Sequence, residues 1–206
     1  MKSEAWQSAG GGIRQPRLAR PAPQRNSMTE IHLVPVGRVD SMTLSWLCAA
    51  LWDSLKLPCE VEEATIDPAD AYHPVRQQYH STQILAQLLP IARHTGMRVL
   101  GVTEVDLFIP ILTFVFGEAQ WHNQAAVVSL HRLHQHFYGL PEDKTLFYKR
   151  SEKEALHELG HTFGLIHCSQ FDCVMHFSNS IEQIDLKTNA FCGSCSGKLS
   201  QLSIPS

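Results

Sequence analysis

The stretch His157-Glu158-Leu159-Gly160-His161-Thr162-Phe163-Gly164-Leu165-Ile166-His167-Cys168 holds three imidazoles, a carboxylate and conformationally free glycines at fixed intervals. On a helix, His157 and His161 lie about 40° apart around the axis and about 6 Å along it, so both rings share one face. Such a pair is a clamp for a divalent ion of the zinc type. Glu158 stands about 100° round from His157, where its carboxylate can reach a water on the ion instead of the ion itself. That placement suits a general base. Gly164 can take the left-handed conformation at little steric cost, ending the helix and turning the chain until His167 faces the ion as third ligand. A fourth position is left for water, as a catalytic zinc site requires. Three neutral ligands leave the ion nearly its full charge, enough to bring a water's pKa down towards about 7.

A His-Glu-x-x-His pair alone arises easily by accident in a chain with 12 histidines among 206 residues. Five fixed identities, with Gly164 and His167 added, do not. The cysteines carry a second signal. Cys168, Cys173, Cys192 and Cys195 form C-x4-C, a gap of 18 residues, then C-x2-C, the arrangement of a closed four-thiolate zinc site. Two other readings compete with it. Two disulfides would need an oxidising compartment, yet no secretory apolar segment is visible. A redox dithiol at Cys192-Gly193-Ser194-Cys195 would normally follow the strand of a thioredoxin-like unit, which is missing here. Cys48, on an apolar helix face, and Cys59, in an alternating strand, read as buried small hydrophobes.

Around these motifs the chain reads as alternating strands and helices. Glu30–Gly37 reads as a first strand. Ser41 can cap a helix whose apolar residues Leu44, Leu47, Cys48, Leu51 and Leu55 follow helical spacing. Residues 58–66 alternate like a strand, and 65–76, with Pro68 and Pro74, read as a loop. A helix over 81–94 should kink at Pro90. Apolar, β-branched runs at 97–105, 112–117 and 125–130 supply the sheet core. Ser151 with Glu154 three residues on is a capping-box pattern, so the motif helix is expected over 151–163. Leu156, Leu159 and Phe163 on that helix should pack onto the sheet. Gly160 lowers helix propensity by about 1 kcal/mol relative to alanine, which implies that something packs closely against that turn.

Taken together, His157-Glu158-x2-His161-x2-Gly164-x2-His167-Cys168-x4-Cys173-x-Met175, followed by Cys192-x2-Cys195, resembles the signature of the archaemetzincins, a branch of the metzincin zinc peptidases. The likeness extends through Gly101-Val102-Thr103, Phe116-Gly117-Glu118-Ala119, Val128-Ser129-Leu130, Lys153-Glu154-Ala155 and Phe177-Ser178-Asn179-Ser180, covering about residues 28–200. The resemblance implies an α/β fold of the α+β metzincin kind: a mixed, twisted sheet over an active-site helix, a methionine turn and a C-terminal helix. It implies two zinc ions per chain. His157, His161 and His167 would bind the catalytic one, with Glu158 as general base and acid and Met175 as the turn methionine. Cys168, Cys173, Cys192 and Cys195 would bind the structural one. The activity implied is hydrolysis of peptide bonds in peptide or protein substrates, including removal of N-terminal residues. Glu118 reads first as a plain exposed glutamate, and second as a residue on an edge strand that could hold a substrate's free amine. His176 reads as a solvated or supporting histidine. Phe177 stands where some metzincins place a tyrosine, and the His131, His134, His136 cluster reads as surface.

Composition sets the remaining bounds. At 206 residues, 44% apolar and 18% charged, the chain suits one catalytic domain over 28–206. Residues 1–27 carry Lys2 and four arginines against the single acid Glu4, with three consecutive glycines and three prolines, and read as a disordered tail. The net charge of −3, without a basic stripe within residues 28–206, argues against a nucleic-acid partner. No apolar run approaches the roughly 20 residues that span a bilayer. The chain is expected to act as a cytoplasmic monomer. A catalytically silent, zinc-stabilised peptide-binding protein is the alternative function class. Glu158 tells against it, because a binding module needs no base beside an open metal.

Overall fold

The central strands are near-continuous apolar runs, buried on both faces of the sheet. In the computed structural model, which describes residues 29–121 and 123–202, strand β1 spans Glu30–Val36. The 15-residue helix α1 follows over Ser41–Leu55. Strands β2 (Cys59–Val61), β3 (Tyr72–His73) and β4 (Gln78–His80) lead to helix α2 (Ser81–Leu88). Then come β5 (Met97–Thr103), β6 (Leu107–Phe108), β7 (Gly117–Ala119) and β8 (Ala125–Ser129). Helix α3 (Lys144–Thr162) carries the histidine motif, and α4 (Ile181–Leu186) and α5 (Gly193–Leu202) close the described chain. The expected tail over 1–27 lies outside the described residues.

The main sheet runs β2-β1-β5-β8-β7, with every pair parallel except the antiparallel β7·β8 edge. A smaller sheet, β3-β4-β6, lies apart from it. Alternate residues of the main sheet feed two cores. Ile31, Leu33, Leu100, Val102, Ala126 and Val128 pack with α1 and α3. Val34, Val36, Val99 and Val127 pack with Ile84, Leu85 and Leu88 of α2. Gly101 makes the second contact close, since a Cβ there would stand 2.6 Å from Leu88 Cδ1.

Several expected boundaries move. Asp40, not Ser41, caps α1, its carboxylate accepting from the Thr43 amide at 3.0 Å. The strand read over 58–66 pairs only at Cys59–Val61, with one further bridge between Val36 and Ile66. The helix read over 81–94 stops at Leu88 and passes into a 3-10 turn over Leu89–Ile91. Pro90, which lacks an N–H, ends that helix instead of kinking it. Residues 112–116 do not join the sheet as a strand; they line the cleft described below, and Val115 alone makes a bridge, to Leu107. Cys48 and Cys59 are only partly buried. The motif helix begins seven residues before its expected start. Asp143 accepts from the Leu146 amide at 3.0 Å as its cap, whereas Ser151 is buried in mid-helix and donates to the Phe147 carbonyl.

Candidate metal centres and active-site cleft

Helix α3 is packed into the molecule on nearly every side, which decides how its polar residues behave. Leu156, Leu159 and Phe163 are buried in the core beside α1 and the sheet. Arg150, Ser151, Glu152, Lys153 and Glu154 are buried as well, so each needs a partner. Arg150 forms a bidentate pair with Asp185 at 2.7 and 2.6 Å. Lys153 donates to the carbonyls of Ile184 and Asp185, and Glu152 accepts from Ser54 and Asn189. Lys187, fully enclosed, donates to Glu154 at 2.8 Å and to the His176 carbonyl at 3.2 Å. Apart from the bond with Ser54 of α1, these bonds hold the segment that leads out of the methionine region against the motif helix. Sequence reading assigned Glu154 to a cap; its partner lies 33 residues downstream.

The helix ends where the glycine stands. Gly164 has φ +90°. Its amide bonds to the His161 carbonyl, and the Leu165 amide bonds to the Gly160 carbonyl, which is the Schellman pattern. The turn brings His167 to the other two histidines, and ligating nitrogens of all three lie within 4.8 Å of one another. His157 Nδ1 donates to the Val174 carbonyl and His161 Nδ1 to the Leu165 carbonyl, each at 2.8 Å. A carbonyl only accepts, so both rings carry their hydrogen on Nδ1 and present a bare Nε2. Those two Nε2 atoms face each other at 3.2 Å. Two lone pairs at that distance repel unless a cation lies between them. Bonds of about 2.0–2.1 Å at tetrahedral angles set two zinc-bound nitrogens about 3.3 Å apart, so the donor set fits zinc. Burial, reinforced by Lys187, holds the His157 pKa well below the usual histidine range, which keeps its nitrogen free to ligate.

Glu158 is buried beside this cluster. Burial, then the Glu154 and Glu118 carboxylates, push its pKa well up, against the opposing charge of Lys187. A dication among the histidines acts in the opposite sense, favouring the carboxylate. Gly117, on edge strand β7, passes so near that a Cβ there would stand 2.6 Å from Glu158 Cγ and Oε1. The glutamate faces a cleft of about 480 Å³ whose lining includes Phe114, Phe116, Glu118, His161 and Phe177. Glu118 is fixed from α2, its carboxylate accepting from the Ser81 and Thr82 hydroxyls.

Met175 lies beneath the histidines and accounts for Gly160, because a Cβ at Gly160 would collide with the Met175 sulfur. The four cysteines close a second cluster just beyond it. Their sulfurs lie within 4.8 Å of one another, and Cys168 Sγ is 3.7 Å from Cys192 Sγ. A disulfide needs about 2.05 Å, whereas tetrahedral zinc with bonds of about 2.3 Å sets sulfurs about 3.8 Å apart. All six cysteines are free, and the four gather as one group, not as an isolated dithiol. The Cys195 amide, with neighbouring thiols, draws the Cys192 pKa down to about 7, so a thiolate is accessible there. The two clusters share backbone. The Cys168 amide donates to the Met175 carbonyl, and His176 Nδ1 donates back to the Cys168 carbonyl, both at 2.9 Å. His176 therefore supports the turn, as its supporting reading implied.

The family model of peptidase family M54 matches residues 53–201. The chain belongs to this family, the archaemetzincins. It is a zinc metallopeptidase, and so a hydrolase. An archaemetzincin of Methanocaldococcus jannaschii is 44% identical over 169 residues, covering 82% of this chain and 92% of that one. The crystal structure of the Archaeoglobus fulgidus archaemetzincin complexed with malonate superposes with a TM-score of 0.72 at 38% identity, covering 82% and 99% of the two chains. That from Methanopyrus kandleri gives a TM-score of 0.73 at 34% identity, covering 87% and 98%. The mixed sheet with its helices is thus the archaemetzincin fold. No helix among the described residues is long and apolar enough to cross a membrane.

Proposed function

We propose that His157, His161 and His167 hold the catalytic zinc of this peptidase, that Glu158 is its general base and acid, and that Cys168, Cys173, Cys192 and Cys195 hold a second, structural zinc. One observation carries this reading: two imidazole Nε2 atoms face each other at 3.2 Å inside a cleft while each ring's Nδ1 lies on a carbonyl oxygen. The ion, when bound, supplies a Lewis acid that polarises a substrate carbonyl and acidifies water. Glu158 takes a proton from the attacking water on its carboxylate and returns it to the leaving amine. The Val174 and Leu165 carbonyls orient the His157 and His161 rings, which fixes where the substrate carbonyl must sit. Met175, packed under Gly160, supports the floor of the site. Phe114, Phe116 and Phe177 exclude water from the cleft and bind apolar substrate side chains.

The substrate reading goes one step finer. Glu118 lines the same cleft as Glu158 and is held in place by two hydroxyls, so its charge can pair with the free amine of an N-terminal residue. That arrangement favours aminopeptidase action. Free thiols throughout the described residues suit a reducing compartment, in keeping with a cytoplasmic enzyme. We take it to act as a single domain over 28–206, as a monomer, on peptide or protein substrates and with neither nucleic-acid nor membrane partners. Paired peptides with free and acetylated N-termini test the substrate reading. Cleavage of the free form should be abolished by a chelator and restored by zinc, with the acetylated form resistant and Glu118→Gln erasing the preference. Equal cleavage of both forms by the wild-type protein would contradict it.

A further inference from the structure

A third group of ligating side chains gathers where the chain passes from the sheet to α3, away from both clusters above. His134 and His136 open the 3-10 turn over Gln135–Tyr138, and Glu142 directly precedes the helix cap Asp143. His134 lies between two short 3-10 turns, over His131–Leu133 and Gln135–Tyr138, and is drawn partly inside, where the sequence reading put the cluster at the surface. A nitrogen of each ring and a Glu142 oxygen lie within 4.8 Å of one another. His134 Nδ1 is 3.5 Å and His136 Nδ1 is 3.1 Å from the Glu142 carboxylate.

Two features outside this trio distinguish it from a solvated ion pair. The Glu104 carboxylate faces His134 Nε2 at 3.1 Å. The His134 ring also stacks on Phe147 of α3, with centroids 4.1 Å apart and planes 15° from parallel. A carboxylate accepting from Nε2–H fixes the tautomer and leaves the Nδ1 lone pair pointing at Glu142. Carboxylates cannot donate, so the space between Nδ1 of His134, Nδ1 of His136 and Glu142 must hold either protons on both rings or one cation. The His134 pKa is raised: burial opposes its charge, and the hydrogen bonds and charges of Glu104 and Glu142 outweigh that. Protons are therefore the competitor for these nitrogens, and the competition fades in alkaline solution.

We propose that His134 Nδ1, His136 Nδ1 and the Glu142 carboxylate form a third site, for a divalent transition-metal ion of the zinc class, with Glu104 as the carboxylate that orients His134. Mixed imidazole and carboxylate donors suit zinc, copper or nickel better than magnesium or calcium. Three ligands at a partly exposed position leave room for water, so the ion exchanges readily. The site lies about 20 Å along α3 from His157, at a helical rise of 1.5 Å per residue. It fastens the residue before the helix cap to the turn after β8, and it takes no part in the reaction.

The holoenzyme, dialysed at pH 8 against rising free zinc, should bind one more zinc ion per chain than His136→Ala or Glu142→Gln, while peptide hydrolysis by both variants stays at the wild-type rate. Cobalt(II) added to the zinc-loaded wild-type protein should give a visible ligand-field absorption that excess zinc removes. Equal zinc content in the wild type and both variants at every concentration would overturn the proposal. So would the lack of a cobalt band in the wild-type protein, a result that does not depend on how any variant folds.

Discussion

Gly117 lets strand β7 pass within van der Waals reach of Glu158, and the consequence is that the proposed base is held from two sides, by its own helix and by the strand. Gly117→Ala places a methyl group 2.6 Å from the Glu158 side chain, so the carboxylate must move. The expected outcome is a fall in kcat of about tenfold or more with zinc content unchanged, because a displaced base loses part of a contribution of about 10²–10⁴. Glu158→Gln should lose all of that contribution, also with zinc retained. Either variant hydrolysing peptides at the wild-type rate would show that another group moves the proton. The gathering of the candidate ligands was legible in the sequence, because helical spacing alone puts His157 and His161 on one face. What packs against Gly160 was not. The answer, the Met175 sulfur, lies 15 residues along the chain, and only the turn at Gly164 brings it back beneath the helix.

Among the elements, α3 departs furthest from its sequence reading, and the reason is burial. The Ser151 and Glu154 pattern looks like a local cap, yet a helix enclosed on most sides uses its polar residues for distant partners. Asp143 supplies the cap, while Glu154, Arg150 and Lys153 grip residues 184–187. No period or propensity encodes those pairings. The 112–117 run misled for a similar reason, since apolar residues lining a cleft have the composition of a sheet core. The Glu154–Lys187 pair, both members buried, gives the sharpest test at this scale. Lys187→Met leaves a carboxylate enclosed without its partner and should destabilise the protein by about 3–5 kcal/mol. Glu154→Met together with Lys187→Met should recover most of that loss. Thermal unfolding of the three proteins measures it, and an undiminished melting temperature for Lys187→Met alone would contradict a structural role for the pair.

For the molecule as a whole, the parallel order β2-β1-β5-β8 places the starts of its strands at one end, where charged residues cluster. Burial raises the Glu30 pKa, but the His32 ring 3.1 Å away and the hydrogen bond with His94 more than reverse this and hold it below the ordinary glutamate range. Folding thus favours the ionised form: the stabilisation is present above the ordinary value of about 4.3 and is lost as pH falls through the lowered one. Glu30→Gln should lower the melting temperature near neutral pH, and the gap from wild type should close below about pH 4. A gap that widens on acidification would reverse the sign of this account. Most of the sheet core, the α/β alternation and the residues of both candidate ligand clusters could be read from the sequence; the way the cysteine cluster and the histidine cluster share the backbone of Cys168, Met175 and His176 required the fold. The central claim is that the two clusters are two metal centres. Anomalous diffraction from crystals at the zinc absorption edge tests it most directly. The account predicts a peak at each cluster, one about 2.0–2.1 Å from Nε2 of His157 and His161 with His167 as third ligand, the other about 2.3 Å from four cysteine sulfurs, with any third peak confined to His134, His136 and Glu142. Crystals grown with zinc that show no peak at the three histidines would contradict it.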